Sequence, residues 1–416
     1  MSEYVRYIGI ASSVQAKVDW VLSLLERNHG ASIAEGRLSI GYDSASNIQL
    51  SERFYLDLAA GIYDHHHHMS NGSFIQLPDG SPDYLSSIFY LVNCIQEYGS
   101  TDLDKYGRFK YEDSLQKKWG IITENKVWEY IQLFCDKHQI AYSKKSVNAC
   151  CLSHDIDFIY RGWKREGLKA VQQGSLGKAT EIVTSRFVGK PIFANIAEIA
   201  EMEASAGYAS TFYWIASQQK GDGGIDNADY SMTDPLVQQM MTTAEAAGCE
   251  HGMHKAAASS SFRAEMEQFT RPISTNRYHY LRFALPHAWA ELDAAGIAVD
   301  CSLGFAEHFG YRNSYGLPFR PFDLEQNTTR DVLIVPLHIM DTTLTDYMNI
   351  PKEEVADTML DWVAAVKDHT LIGVLWHNTN LSRKVSAEMW TAYESLLTYM
   401  KANGFASKMP TELLAP

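Results

Sequence analysis

From Val147 onward, short apolar, β-branched or aromatic runs alternate with amphipathic stretches at helical spacing, and this alternation limits the possible folds more than any other feature. Strands are expected over 147–152, 210–215, 248–254, 298–302, 332–336 and 370–377, with helices over 192–206, 236–247, 285–295, 352–367 and 387–403. Strand–helix repetition joins parallel strands through crossover helices, so the expected class is α/β, with an open sheet or a barrel wrapped by helices. In a barrel, chemistry gathers at the C-terminal ends of the strands.

One of these ends carries Ser153-His154-Asp155-Ile156-Asp157. Strand side chains alternate faces, so Asp155 and Asp157 point the same way if the extended backbone lasts that far. Two like charges side by side repel, and a divalent cation or a shared proton relieves the repulsion. The pair is also compatible with capping the next helix or sitting in a solvated turn. Two later strand ends add His254 and His377.

The chain has 416 residues, enough for two domains or one large one. Hydrophobic residues make up 46% and charged ones 21%, a globular profile. A net charge of −14 without a basic stripe argues against binding a nucleic-acid backbone. No apolar run reaches membrane-spanning length, so no membrane span is expected. Glu3 and Arg6 interrupt the first residues, so a secretory signal is not expected there either. The six cysteines lack CxxC spacing and read as small buried residues of a reducing compartment, which makes the cytoplasm the expected location.

Before Val147, helices are expected over 18–26, 84–98 and 127–137 and a strand over 38–42. The polar joint Ser143-Lys144-Lys145-Ser146 places a boundary between an N-terminal α+β domain, 1–145, and a second domain, 146–416. The tetrad His65-His66-His67-His68 lies in a stretch rich in Gly, Ser, Asn and Asp that reads as loop. Adjacent histidines there cannot all face one ion, and the first part offers no catalytic constellation.

In their order, these motifs resemble the NodB-homology polysaccharide deacetylases, carbohydrate esterase family four, over roughly Val147 to the C-terminus. The resemblance implies a distorted (β/α) barrel. It casts Asp155 as base and Asp157 as metal ligand. Gly248-Cys249-Glu250-His251-Gly252-Met253-His254 matches the first half of the second family motif and makes His254 a ligand, but Ala258 stands where a further histidine belongs. His279 is the preferred replacement. His251, three residues before His254 on a strand, should face away.

The third motif appears as Arg277-Tyr278-His279-Tyr280. The resemblance implies that Arg277 orients the base aspartate and that the Tyr280 amide helps hold an oxyanion; His279 takes the place of a proline, and a surface histidine in a Tyr-rich loop is the other reading. Leu375-Trp376-His377 resembles the motif that carries the general acid. Asp83 to Tyr98, Asp104 to Phe109, Asp300 to Phe305, Gly316 to Leu324 and Pro336 to Asp341 are similar to a bacterial branch with an uncharacterised N-terminal domain, and none of these runs brings an assigned role.

The implied activity is metal-dependent hydrolysis of an N-acyl, chiefly N-acetyl, group on a sugar or polysaccharide intermediate, with Zn2+ the expected ion and an N-acylated sugar the partner. Trp163, Trp214, Tyr311 and Trp376 read either as sugar-stacking surfaces or as core. Two further readings stand beside this one. A carbohydrate-binding or assembly protein that kept the fold and lost turnover is favoured by Ala258, and a small-molecule amidohydrolase fits the same scaffold.

Overall fold

The structure, a computed structural model, describes residues 4–33, 38–65, 69, 74–172, 174–187, 190–258 and 260–415. Its principal sheet is built from β1 (Ala149–Ile156), β2 (Thr211–Trp214), β3 (Glu250–Lys255), β4 (Thr275–Tyr278), β5 (Val299–Asp300), β6 (Leu333–Ile334), β7 (Ile339–Met340) and β8 (Leu371–Leu375). They run in the order β6-β5-β4-β3-β2-β1-β8-β7, and β9 (Ala406–Ser407) also pairs with β1. Every pairing in this sheet is parallel. All eight residues of β1 are buried, as a strand covered on both faces requires.

The sheet is curled. Its edge strands β6 and β7 are separated in the chain only by residues 335–338, a link that reaches at most ~17 Å. Eight strands laid flat would hold those edges roughly 33 Å apart. The linking segment is tightly sandwiched: a Cβ at Gly373 would overlap the Pro336 carbonyl, and one at Gly304 would come within 2.6 Å of the Leu337 oxygen. The result is a distorted (β/α) barrel, closed by one short segment.

Helices Ile196–Ala206, Pro235–Ala246, His287–Ala295, Val355–Val366 and Ala387–Ala402 fall where the periodicity expects them, each starting later or ending sooner than its window. The pair Trp163–Gln172 and Leu176–Phe187, inserted after β1, has no counterpart in the sequence expectation. Strand β1 runs on past Leu152 to include Asp155.

The N-terminal part holds a parallel sheet of Val5–Ile8, Leu38–Gly41 and Ile48–Gln49, with helices Ser12–His29, Tyr84–Val92 and Lys126–His138. The helix expected over 84–98 breaks at Asn93, whose side chain accepts from the Phe322 amide at 2.8 Å, and Cys94 turns left-handed at φ 50°. Tertiary hydrogen bonding has overridden helical periodicity there. The hydrophobic core runs without interruption from Val18 and Phe89 into Phe322, Trp362 and Ile372. Glu97 and Arg312 form a buried bidentate pair across this contact, at 2.9 and 2.6 Å. Of the histidine tetrad, His65 packs against the Phe54 and Tyr90 rings, and His66 to His68 lie outside the described residues.

Candidate metal and proton-transfer site

The C-terminal ends of four strands and two loops converge on Asp157. The register pairs His254 of β3 with Arg277 of β4, and Asp155 of β1 with Tyr213 of β2. Asp157 lies just beyond β1 with its side chain 17% exposed, while Asp155 is buried. Its Oδ1 stands 3.5 Å from His254 Nε2 and 3.7 Å from His279 Nε2. Its Oδ2 is 3.8 Å from His377 Nε2.

The tautomers of the two nearer histidines follow from their other ring nitrogens. His254 Nδ1 donates to the Arg277 carbonyl at 2.9 Å, and His279 Nδ1 donates to Asn227 Oδ1 at 2.9 Å. Both Nε2 atoms are therefore left to face Asp157, whose buried Oδ1 has no hydrogen-bond partner among the described residues. An acceptor oxygen ringed by imidazole nitrogens calls for a cation among them. The ligand atoms of Asp157, His254 and His279 lie within 4.8 Å of one another. The two measured oxygen–nitrogen separations approach the edge, about 3.4 Å, of a tetrahedron with bonds of ~2.1 Å. Asp157, His254 and His279 thus fit a divalent metal, and the fixed Nδ1–H of each histidine is the second-sphere arrangement that metal-binding imidazoles commonly have.

Electrostatics around these groups is strongly perturbed. Burial alone would raise the Asp157 pKa, yet His279, His254 and His377 outweigh it and hold the carboxyl well below the usual range. Burial pushes His279 down to about 4, only partly countered by Asp157. For His254 burial is outweighed by Asp155 and Asp157, and its pKa is raised. His377 shows the largest balance of this kind: burial opposes its charge, but Asp341 first, then Asp157 and Asp155, push it up to about 10.

Asp155 is held differently. Arg277 Nη1 donates to its Oδ1 at 3.0 Å, Nη2 to Ser153 Oγ at 2.8 Å, and Nε to the Cys301 carbonyl at 3.0 Å. The guanidinium lies over the Tyr213 ring at 4.6 Å. One oxygen of Asp155 is thereby fixed while the other stands 3.2 Å from His254 Nε2. Tyr280 adopts φ 60° and Leu281 φ 52°, a conformation that L-residues populate rarely. Arg108 Nη1 donates to the Tyr280 carbonyl at 3.0 Å, and the Tyr106 ring lies 5.1 Å from that of Tyr280.

All seven residues singled out in the sequence, Asp155, Asp157, His254, Arg277, His279, Tyr280 and His377, are drawn to this one end of the barrel. His279 is buried, which excludes the surface-histidine reading. His251 turns away: its Nδ1 accepts from Trp214 Nε1 at 3.1 Å and its Nε2 donates to the Met241 carbonyl at 3.0 Å. Trp214, Tyr311 and Trp376 are fully buried, so for these three the core reading holds and the sugar-stacking reading fails.

Four supporting residues escaped the sequence. Asp341 accepts from His377 Nδ1 at 2.7 Å, from the His377 amide at 3.0 Å and from Asn380 Nδ2 at 2.8 Å. Asn227 fixes His279, and Tyr106 and Arg108 bracket Tyr280 from the N-terminal part. Asp341 left a trace as the acid closing the run Pro336 to Asp341, and Tyr106 and Arg108 as members of the run Asp104 to Phe109; Asn227 left none.

Residues 42–143 match the model of a family of unknown function, DUF7033, a stretch that includes Tyr106 and Arg108 but none of the strand-end residues. No curated protein matches the chain. Among solved structures, a candidate polysaccharide deacetylase from Mycobacterium smegmatis is similar at 10% identity over 65% of this chain and 90% of that one, with a TM-score of 0.41. A mutant of BA3943, a CE4 family pseudoenzyme with restored enzymatic activity, is similar at 12% identity over 64% and 68%, with a TM-score of 0.28. A 4-alpha-glucanotransferase from Thermococcus litoralis gives 12%, 65%, 40% and 0.36. Likenesses at these scores do not reach the site, whose reading rests on its own geometry.

Proposed function

We propose that the protein is a metal-dependent hydrolase that removes an N-acyl group, chiefly acetyl, from a sugar. The observation that carries this reading is the buried Asp157 oxygen, without a hydrogen-bond partner among the described residues and faced by the Nε2 atoms of His254 and His279. A divalent ion held by Asp157, His254 and His279, Zn2+ by its preference for nitrogen and oxygen ligands, supplies Lewis-acid polarisation and a more acidic water.

The chain's own residues divide the remaining work. Asp155, with one oxygen held by Arg277 and the other open, takes the proton from the attacking water. The Tyr280 amide, on a backbone turn braced by Arg108, donates to the developing oxyanion. His377 carries the proton that the leaving nitrogen needs, and Asp341 fixes its Nδ1 so that Nε2 faces the site. The products are a carboxylate and a free amine.

The test is turnover together with metal content. Protein purified without nickel should contain about one equivalent of zinc per chain, and it should release acetate from N-acetylated sugar oligomers. Metal-free protein that also leaves amides intact would refute the reading.

A further inference from the structure

The helical hairpin Trp163–Gln172 and Leu176–Phe187 has a surface unlike the rest of the molecule. Between Arg161 and Lys190 seven Lys or Arg meet two Glu, in a chain whose net charge is −14. Leu168, Val171, Leu176 and Val183 on it are 60, 47, 69 and 38% exposed, four of the ten large apolar side chains exposed among the described residues. The hairpin's inner face is already satisfied, since Ala170, Ala179 and Ile182 pack with Ile192 and Phe193 in a small core. Leu168, Val171 and Leu176 therefore belong to a second, outward-facing apolar surface, with Val183 at its edge against Gly167.

Their spacing makes that surface continuous along each helix. Leu168 and Val171 stand three apart, Leu176 and Val183 seven apart, the intervals that share a helical face. Lys164 stands four residues before Leu168 on the same face, and Arg165, Lys169 and Lys178 flank it, lining the cleft beside Ala170, Ile182 and Phe193. Glu166, the acid of the first helix, is taken up by Arg165 and Lys169 at 2.8 and 3.2 Å, and Glu181 pairs with Lys384 at 2.7 Å. The root of the hairpin is tied to the same rim as the site. Asp229 accepts from the amides of Ile159 and Tyr160 at 2.9 Å and from that of Arg161. Asn378, next to His377, donates to the Phe158 carbonyl at 2.9 Å.

Exposed leucine and valine set among lysine and arginine, on helices too short and too charged to cross a bilayer, suit the interface of an anionic membrane. The charge pattern favours this occupant. The chain as a whole would be repelled by anionic lipid, and this hairpin is where attraction replaces repulsion. We propose that the hairpin docks the protein on an anionic bilayer surface, with the rim of the barrel turned toward the lipid headgroups. Resting on the deacylase reading above, the corresponding substrate class is an N-acylated sugar carried on a membrane lipid.

Docking is tested by sedimenting the full chain with vesicles. It should bind vesicles of equal parts phosphatidylcholine and phosphatidylglycerol, not phosphatidylcholine alone, and raised salt should weaken binding. Leu168→Glu with Leu176→Glu should reduce binding about tenfold or more, and Lys164→Glu with Lys169→Glu should do the same while flattening the salt dependence. Both pairs are at the surface, and unchanged circular dichroism verifies folding. No binding to the mixed vesicles, or equal binding by wild type and variants, overturns the proposal. So does a hairpin-dependent dimer in light scattering without vesicle binding, which would assign the face to a second copy. Asp155→Asn protein should bind vesicles as wild type does. Binding with no turnover of any N-acyl sugar, soluble or lipid-linked, would remove the deacylase reading and leave docking intact.

Discussion

Two buried arginine–carboxylate pairs in this molecule are built from the same chemistry and finished differently. Arg312 and Glu97 meet through two hydrogen bonds, with the third guanidinium nitrogen on the Gly304 carbonyl at 2.9 Å and the plane over Phe283 and Phe305. Both carboxylate oxygens are occupied, and the pair joins the N-terminal part to the barrel. Arg277 gives Asp155 one hydrogen bond and spends the others on Ser153 and Cys301. The second oxygen of Asp155 is left among histidines. A closed pair fixes structure, and an open one holds a carboxylate in place while leaving it able to exchange a proton.

That contrast is breakable. The largest effect expected is on turnover: Asp155→Asn and His377→Ala should each lower acetate release on the order of a hundred-fold or more, with Tm near that of the wild type. Unchanged rates in both would sink their assignment. Opening the closed pair should do the reverse. Glu97→Ala strands the Arg312 charge and should cost roughly 3–5 kcal/mol of unfolding free energy in urea titrations, while activity per folded molecule is retained. A smaller effect belongs to Asn227→Ala, which frees the His279 ring and should weaken metal affinity roughly 10- to 100-fold, read by competition with a chelating dye.

The smallest effect concerns acid. Burial pushes His29 down to about 4, beside Tyr315 at the contact between the two parts. The folded chain keeps it neutral while the unfolded chain takes up a proton below ~6.5. Its contribution is therefore full above that pH and is lost as pH falls toward 4. Asp83 and Asp300, raised by burial to about 6, act in the opposite sense as they take up protons. Comparing wild type with His29→Gln isolates the histidine: by pH 5.5 the wild type should lose on the order of 1 kcal/mol more than the variant. Parallel stability curves would show that His29 plays no part.

Much of this was legible in the chain because the informative signals were local. Strand polarity follows from alternating runs, and a strand end is a fixed address, so Asp155, His254 and His377 could be located before any coordinates. His279 could be proposed because a single position, Ala258, was visibly short of a ligand. What escaped depends on contacts distant in sequence. Asp341 meets His377 because β7 pairs with β8 in the register Met340 to Leu375, and Asn227 meets His279 from another loop. Tyr106 and Arg108 reach Tyr280 from a part of the chain with no chemistry of its own. The hairpin after β1 escaped for a different reason: the buried face of its first helix is Glu166, Gly167 and Ala170, with no large apolar residue to mark a core stripe.

The short segment 335–338 has a consequence for how the fold can diversify. It spans the gap between the two edge strands and delivers Asp341 to His377 within three residues of its end, so its length sets both the circumference of the barrel and the placement of one imidazole. An added residue there would disturb both at once. Relatives of this protein should therefore vary freely in the insertion after β1 and hardly at all in this connection, and a circular permutation opened here should be far less tolerated than one opened at the hairpin.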